Sequence, residues 1–282
     1  MKNENWPSFL ATRHSIKPKA GIDPESLDYK GISENGVELA KERADDILDI
    51  LKKEPVGSIL FFLGSSESER TKSTEQVYIN AIKESLSDEN KDGISLISKS
   101  EINNPDFGYT ENANVLASRI NDNPEKKFIV DVNLFIKELS NSHWTEENGD
   151  FTKYAKKLLL DNNNNEDLCF RDWIKNNGIS GDLIGPNPKT VAEKSLAGIK
   201  RLSEFAKKFL KDKDRNIIIG AVGHSWNLDV LAIYLANNGV VDIAGFDKIK
   251  GSIIDETQIL RLKKQENNEY GLFYNDKEYS IE

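Results

Sequence analysis

The sequence predicts an α/β fold with a mainly parallel sheet, and three observations support this class. Short apolar segments of strand length alternate with longer segments in which apolar residues recur at helical spacing. Two of the short segments, 58–63 and 216–222, are apolar on both faces, which is typical of strands covered by helices on both sides. The 282 residues, 38% of them hydrophobic, are enough to bury a substantial core.

The first hundred residues alternate strand and helix. A strand is predicted over 8–12, and turn residues make 17–29 a loop. Ser33 is the expected N-cap of an amphipathic helix that runs to Leu51. The strand at 58–63 leads into a helix over 67–86, and a third strand follows at 93–98.

The middle of the chain, about 103–188, is less regular. It is rich in Asn and acidic residues, with helices expected near 151–160 and 166–176. We interpret it as an insertion, or cap, on one domain that spans 1–282. Helices are then predicted over 190–210 and 228–236, with a strand over 216–222 between them. A hairpin is expected to pair 253–262 with 271–279 around 266–268.

Charge and cysteine content exclude several classes of function. The net charge of −9 argues against non-specific binding of nucleic acid. A single cysteine, Cys169, excludes an internal disulfide and a multi-thiolate metal site. No apolar segment approaches the roughly 20 residues that a membrane helix needs, and the N-terminal residues do not resemble a signal peptide. We expect a cytoplasmic protein without membrane or nucleic-acid partners, and an oligomer remains possible.

Two of the three histidines, His14 and His224, directly follow predicted strands. Because the carboxyl ends of parallel strands meet at one edge of a sheet, where ligands bind, we expect these imidazoles to lie close together. Arg13 precedes His14, and Arg70 follows the strand that ends at Leu63. Guanidinium groups suit phosphate oxygens, and an imidazole can act as a nucleophile on phosphorus. The sequence therefore predicts a phosphate site with a histidine nucleophile.

Four motifs resemble those of the histidine phosphatase superfamily, the phosphoglycerate mutase-like proteins, and occur in that family's order. They are Thr12-Arg13-His14-Ser15, Ile32-Ser33-Glu34-Asn35-Gly36, Ser65-Ser66 followed by Arg70 and Thr74, and Val222-Gly223-His224-Ser225. They cover roughly 8–100 and 190–240. The resemblance implies a three-layer α/β/α sandwich with a cap insertion, and a phosphomonoester hydrolase that needs neither metal nor cofactor.

The resemblance also implies roles for the four basic residues. His14 would be the nucleophile and would form a phosphohistidine. Arg13, Arg70 and His224 would bind the phosphoryl group and stabilise its charge in the transition state. The substrate would be a small phosphorylated metabolite or a phosphoprotein, and the sequence does not identify it.

The proton donor is less well marked. Ser225 follows the second histidine, a feature of the branch whose acid comes after the third strand, and Glu101 is the candidate there. Asp106, Glu111 and Asp131 lie in the same region and remain open as alternatives.

Other functions and roles also remain open. The chain could be a phosphoglycerate mutase-like phosphotransferase, or a catalytically weak adaptor that binds a phosphorylated ligand. An α/β-hydrolase with Ser225 as nucleophile is disfavoured, because no histidine follows that residue. His143-Trp144 and Trp226 could each line a substrate cleft or pack in the interior. Ser15 stands where the resembled family usually has glycine.

Overall fold

The computed structural model describes residues 6–64, 68–88, 93–102, 108–132, 136–210, 215–249, 251–265 and 269–281. The strands are β1 (Ser8–Arg13), β2 (Ile59–Gly64), β3 (Ile94–Ile97), β4 (Lys127–Val132), β5 (Ile179–Ser180), β6 (Leu183–Ile184), β7 (Ile217–Gly223), β8 (Ile259–Lys264), β9 (Tyr270–Tyr274) and β10 (Lys277–Ile281). The helices are α1 (Glu34–Lys52), α2 (Glu69–Asp88), α3 (Lys99–Ile102), α4 (Tyr109–Asn121), α5 (Lys153–Asp161), α6 (Glu166–Lys175), α7 (Pro188–Leu210), α8 (Ser225–Ala236) and α9 (Ile243–Lys248).

An eight-stranded sheet in the order β10-β9-β8-β1-β7-β2-β4-β3 forms the centre of the molecule. Five neighbouring strands of this sheet are parallel, namely β1, β7, β2, β4 and β3. The three C-terminal strands extend it antiparallel from the free side of β1. The predicted α/β class with a mainly parallel sheet is confirmed.

Helices cover both faces of the sheet, and each face has its own hydrophobic core. Ile218 of β7 packs with α1 and α2, whereas its neighbours Ile217 and Ile219 pack with α7 and α8. This alternation follows from the two-residue period of a strand. The result is the three-layer α/β/α sandwich that the motif resemblance implied.

Several elements follow local sequence signals. The Ser33 hydroxyl accepts a hydrogen bond of 3.0 Å from the Gly36 amide, which confirms the predicted N-cap of α1. α7 begins at Pro188, whose fixed φ suits the first turn of a helix. Asn275 and Asp276 have φ of 48° and 58° and form a two-residue turn. That turn splits the strand predicted over 271–279 into β9 and β10. The expected hairpin centre at 266–268 lies outside the described residues.

The structure differs from the prediction that 103–188 is one insertion. β4 lies inside this range, yet it is a central strand between β2 and β3. Phe128, Ile129 and Val130 of β4 are fully buried because the strand is covered on both faces. The apolar residues between Phe128 and Ile136 carried the signal, but Asp131 and Asn133 interrupt the run, and no strand was predicted there from the sequence. The rest of that range, 136–188, carries α5, α6 and the β5–β6 hairpin and is called the cap segment below. In the part of the chain that is described, no helix is long and apolar enough to cross a membrane.

Candidate functional site

A cavity of about 530 Å³ opens where β1 and β7 end. Its lining combines basic, acidic and apolar side chains from the strand ends, the cap segment and the loop before β8. The basic members are Arg13, Lys17, Lys19 and Arg70, with His14 and His224, and the acidic members are Glu166, Asp167, Asp255 and Glu256. The cap segment adds Asn141, Trp144, Phe151, Ala155 and Leu159.

His14 and His224 meet at the floor of this cavity. β1 and β7 are parallel neighbours with Arg13 opposite Gly223, and the His14 amide donates to the Gly223 carbonyl at 2.9 Å. The two imidazole centroids lie 5.1 Å apart with an interplanar angle of 65°. The sheet topology therefore brings together the two histidines that the sequence placed at strand ends.

The His14 ring has a defined tautomer. Its Nδ1 lies 2.8 Å from the Ser15 carbonyl oxygen, which can only accept a hydrogen bond. Nδ1 therefore carries the proton, and Nε2 carries the lone pair. An imidazole in this tautomer can use Nε2 as a nucleophile.

Both histidines are neutral in this environment. Burial, followed by the charges of His224 and Arg70, lowers the pKa of His14 well below its usual range. Burial, Arg70 and Arg13 lower the pKa of His224 to about 3. The nucleophilic form of His14 is therefore the prevailing form at neutral pH and into the acidic range.

The two arginines are also held at the cavity. One Nη of Arg13 donates to the Ile254 carbonyl at 2.8 Å, and the other lies 3.0 Å from a Glu256 oxygen and 3.4 Å from a Glu166 oxygen. Arg70 lies in the first turn of α2, and burial and the charge of Arg13 lower its pKa. Arg13, His14, Arg70 and His224 are called the strand-end cluster below.

Ser15 fixes the backbone beside His14. Its amide donates to the Thr74 hydroxyl of α2 at 2.9 Å, and its own hydroxyl donates to the Gly36 carbonyl of α1 at 2.6 Å. A Cβ on Gly36 would lie 2.7 Å from the Ile16 carbonyl oxygen, so the close approach of this loop to α1 requires glycine. Ser15, which stands where the resembled family usually has glycine, thus links α1 and α2 to the loop that carries His14.

Glu101 does not line the cavity. Its carboxylate accepts hydrogen bonds from Arg119 at 2.6 Å and from the Ser98 amide at 3.1 Å, on an exposed surface. Desolvation acts to raise its pKa, but these bonds outweigh that effect and lower the pKa. The reason is topological, because Glu101 follows β3, which is the outermost strand and is separated from β2 by β4.

Two of the other acid candidates, Glu111 and Asp131, are not brought into the cavity lining either. Glu111 is exposed and accepts a hydrogen bond from the Gly108 amide at the start of α4. Asp131 is buried, where it and Glu75 share the Lys99 ammonium at 3.1 and 2.8 Å. Asp106 lies outside the described residues.

The cap segment supplies an apolar wall to the cavity. Trp144 contacts Trp226 edge-to-face at 4.7 Å and Trp173 at 4.8 Å, so it is nearly fully buried. Trp144 and Trp226 both line the cavity and both pack in this aromatic cluster. The sequence left open whether each tryptophan lines a cleft or packs in the interior, and the structure shows that each does both. His143 is half-buried beside them and is not among the described lining residues.

Sequence reasoning missed the carboxylates that contact the strand-end cluster. Glu166 opens α6 and Glu256 precedes β8, and both reach Arg13. Asp229 was also missed. It is fully buried and accepts hydrogen bonds from the Tyr274 hydroxyl at 2.6 Å and the Ile254 amide at 2.8 Å. An aspartate within the apolar pattern of 228–236 was the one available signal for this buried group.

No family model and no curated protein matches this chain. Among solved structures, mycobacterial hydrolase 1 is 12% identical, with 97% of this chain and 100% of that chain covered and a TM-score of 0.47. A mycobacterial glucosyl-3-phosphoglycerate phosphatase with bound VO3 is 13% identical, covers 94% of this chain and 97% of its own, and has a TM-score of 0.46.

A phosphoglycerate mutase from Plasmodium falciparum is 11% identical, with 97% and 96% of the two chains covered and a TM-score of 0.31. With similarities this low, the function of the chain has to be argued from its own residues.

Proposed function

We propose that this protein hydrolyses phosphomonoesters through a phosphohistidine formed at His14, without a metal ion. The observation that carries the proposal is the strand-end cluster, in which two neutral imidazoles 5.1 Å apart share one cavity with two guanidinium groups. A phosphoryl group with about two negative charges suits this combination, because guanidinium groups neutralise its oxygens while a neutral imidazole attacks.

In the first step, the Nε2 lone pair of His14 forms a bond to phosphorus. The bond from phosphorus to the leaving oxygen breaks, and that oxygen takes a proton from an acid. Arg13, Arg70 and His224 stabilise the charge on the phosphoryl oxygens in the transition state. The Nδ1 hydrogen bond to the Ser15 carbonyl supports the positive charge that develops on the His14 ring.

In the second step, water attacks the phosphohistidine. A new bond from oxygen to phosphorus forms as the bond to Nε2 breaks, and the water proton passes to the carboxylate that gave up its proton in the first step. Inorganic phosphate then leaves, and His14 returns to its neutral tautomer. The same carboxyl group serves as acid and then as base.

We assign this proton transfer to Glu166 in place of Glu101. Glu166 lines the cavity, lies 3.4 Å from Arg13, and its charge also acts on Arg70. A bound phosphoryl dianion takes over both arginines as partners and brings negative charge beside Glu166. Its place beside the bound phosphoryl group lets the Glu166 carboxyl group give a proton to the leaving oxygen in the first step and take one from water in the second.

The test compares His14→Ala with the parent protein on an aryl phosphate in the presence of a metal chelator. We expect the parent to be active and His14→Ala to lose about 10⁵-fold or more in kcat, the scale of loss when a nucleophile is removed. Labelled phosphate should be trapped on the parent in an acid-labile, base-stable form. His143→Ala is the matched control, because His143 lies outside the described cavity lining, and it should keep full activity.

Two results would contradict the proposal. One is activity in His14→Ala equal to that of the parent. The other is phosphate binding by the parent without turnover of any ester, which would favour the adaptor function.

A further inference from the structure

We infer that the cavity selects phosphomonoesters whose leaving group is apolar, carries a ring and has no negative charge. The inference rests on the proposed function and names the substrate class for the same site. Its structural basis is a set of side chains beside the strand-end cluster, called the apolar slot below. The apolar slot consists of Trp144, Phe151, Ala155, Leu159 and Trp226.

The apolar slot begins next to the reacting residues. Trp226 stands two positions after His224, in the first turn of α8. Trp144 contacts it edge-to-face at 4.7 Å and lines the same cavity. A leaving group attached to a phosphoryl group at His14 and His224 therefore shares the cavity with two indole surfaces.

Short-range structure in the cap segment holds the rest of the wall in place. Thr145 and Phe151 form an isolated antiparallel bridge, and the Thr152 amide donates to the Trp144 carbonyl at 2.9 Å. Thr152 then caps α5, on which Ala155 and Leu159 lie four residues apart and therefore on one face. The slot is thus preformed rather than assembled around a ligand.

The cap segment is also anchored to the helix that follows His224. Asn227 of α8 donates from its side-chain amide to the Ser140 carbonyl at 2.6 Å. Trp144 packs against Trp173 as well as Trp226, so its indole is fixed on two sides. The distance between slot and strand-end cluster is therefore set by packing, which is what discrimination between leaving groups requires.

Phe151 is the accessible member of the slot. Its side chain is 49% exposed, while Trp144 and Ala155 are buried. When an apolar group covers an aromatic ring that is in contact with water, the free energy of the complex falls. Phe151 is therefore the residue whose truncation changes the slot with the least disturbance of the fold.

The charges of the cavity oppose a second anionic group on the substrate. Among the described lining residues, four basic side chains face four carboxylates, and the two histidines are neutral. The formal charges of the lining thus cancel before substrate binds, and a bound phosphoryl dianion makes the net charge of the filled cavity negative. A further carboxylate or phosphate on the leaving group would add to this negative charge, and only the exposed Lys17 and Lys19 would then remain to offset it.

The test uses three alkyl phosphates, because alcohols of similar acidity separate binding in the slot from leaving-group reactivity. We expect kcat/KM for 2-phenylethyl phosphate to exceed that for glycerol 3-phosphate by at least about tenfold. Hydrolysis of 3-phosphoglycerate, which carries an additional carboxylate, should be slower still. A parent protein that prefers 3-phosphoglycerate, or treats all three alike, would overturn the inference.

Variants of Phe151 locate the preference. Phe151→Ala should lower kcat/KM for 2-phenylethyl phosphate about tenfold and leave glycerol 3-phosphate within about twofold, whereas Phe151→Tyr should retain the preference. Phe205→Ala is the matched control, since Phe205 on α7 is 47% exposed and is not among the lining residues. An equal loss on both substrates in Phe151→Ala would also overturn the inference.

Failure of the proposed function is a separate outcome. It would appear as no hydrolysis of any ester by parent or His14→Ala. The slot is then tested by calorimetry, with 2-phenylethyl phosphate and inorganic phosphate as ligands for the parent and Phe151→Ala. Tighter binding of the ester that is lost in Phe151→Ala supports the slot, and equal binding of the two ligands rejects it.

Discussion

The strand-end cluster and the apolar slot share one cavity but are built from different kinds of structure. The cluster projects from β1, β7 and the start of α2, and His14 and His224 are less than a tenth exposed. The slot comes mainly from one turn-rich segment, 136–160, and includes the half-exposed Phe151. Under the proposed function, the parallel sheet fixes the reactive groups, while the surface for the leaving group comes from a segment that can vary without disturbing that sheet.

This difference predicts that changes in the cluster abolish turnover, whereas changes in the slot redistribute it among substrates. Three sets of variants test this prediction: one in the strand-end cluster, one at the two candidate acids, and one at the buried Asp229.

The largest effect in this set is expected for Arg70→Ala. Loss of one guanidinium that stabilises the phosphoryl oxygens should lower kcat about 10²–10³-fold, equally for all esters. Lys17→Ala, which removes an exposed charge at the same cavity, should change kcat/KM about threefold or less because salt screens such charges. Steady-state kinetics on 2-phenylethyl and glycerol phosphates measures both. Equal losses of activity in Arg70→Ala and Lys17→Ala would show that the cluster matters no more than an exposed charge at the cavity.

The next effect is expected at the two candidate acids. Glu166→Gln should lower kcat on alkyl phosphates about 10²-fold, because their leaving oxygen needs a proton. The loss should be much smaller on aryl phosphates, which leave more readily. Glu101→Gln is the matched control, since its carboxylate pairs with Arg119 on the surface, and it should stay within about twofold of the parent. The reverse pattern in the kinetics would return the role of proton donor to Glu101.

The smallest effect is a pH dependence of stability caused by Asp229. Burial raises the pKa of this carboxyl group to about 8, compared with about 4 in an unfolded chain. Between these values the folded protein holds a proton that the unfolded chain has lost, so the free energy of unfolding falls as pH rises through this range. Asp229→Asn, which is neutral at every pH, should lack this contribution.

Urea unfolding at pH 6 and pH 8 measures the difference. The parent should lose on the order of 2 kcal/mol more than Asp229→Asn between the two values. Asp247→Asn removes a half-exposed carboxylate paired with Arg171 and should follow the parent. Parallel pH dependence in Asp229→Asn and the parent would show that Asp229 is ionised when folded. Because Asp229 holds the Ile254 loop whose carbonyl binds Arg13, this measurement also probes the support behind the cluster.

Much of the fold was predictable because its signals are local. The apolar segments of β1, β2 and β7, the Ser33 cap and the helical spacing of α1 and α7 each identify an element from neighbouring residues. β4 was missed by comparison, since Asp131 interrupts its apolar run and its place between β2 and β3 depends on pairing across the sheet. The Asn275-Asp276 turn, in contrast, is a local feature that was not predicted from the sequence: both residues have positive φ, and they join two strands that are adjacent in sequence.

The sequence by itself determined the α/β class and the pairing of His14 with His224. Parallel strands must bring their carboxyl ends to one edge, so two strand-end histidines meet whatever lies between them. Only the tertiary structure decided which carboxylate and which apolar side chains join them. Glu166 reaches Arg13 across 153 residues, and Glu101 is carried away by the edge position of β3. Contacts of that kind depend on how separate elements pack, which no local pattern of residues encodes.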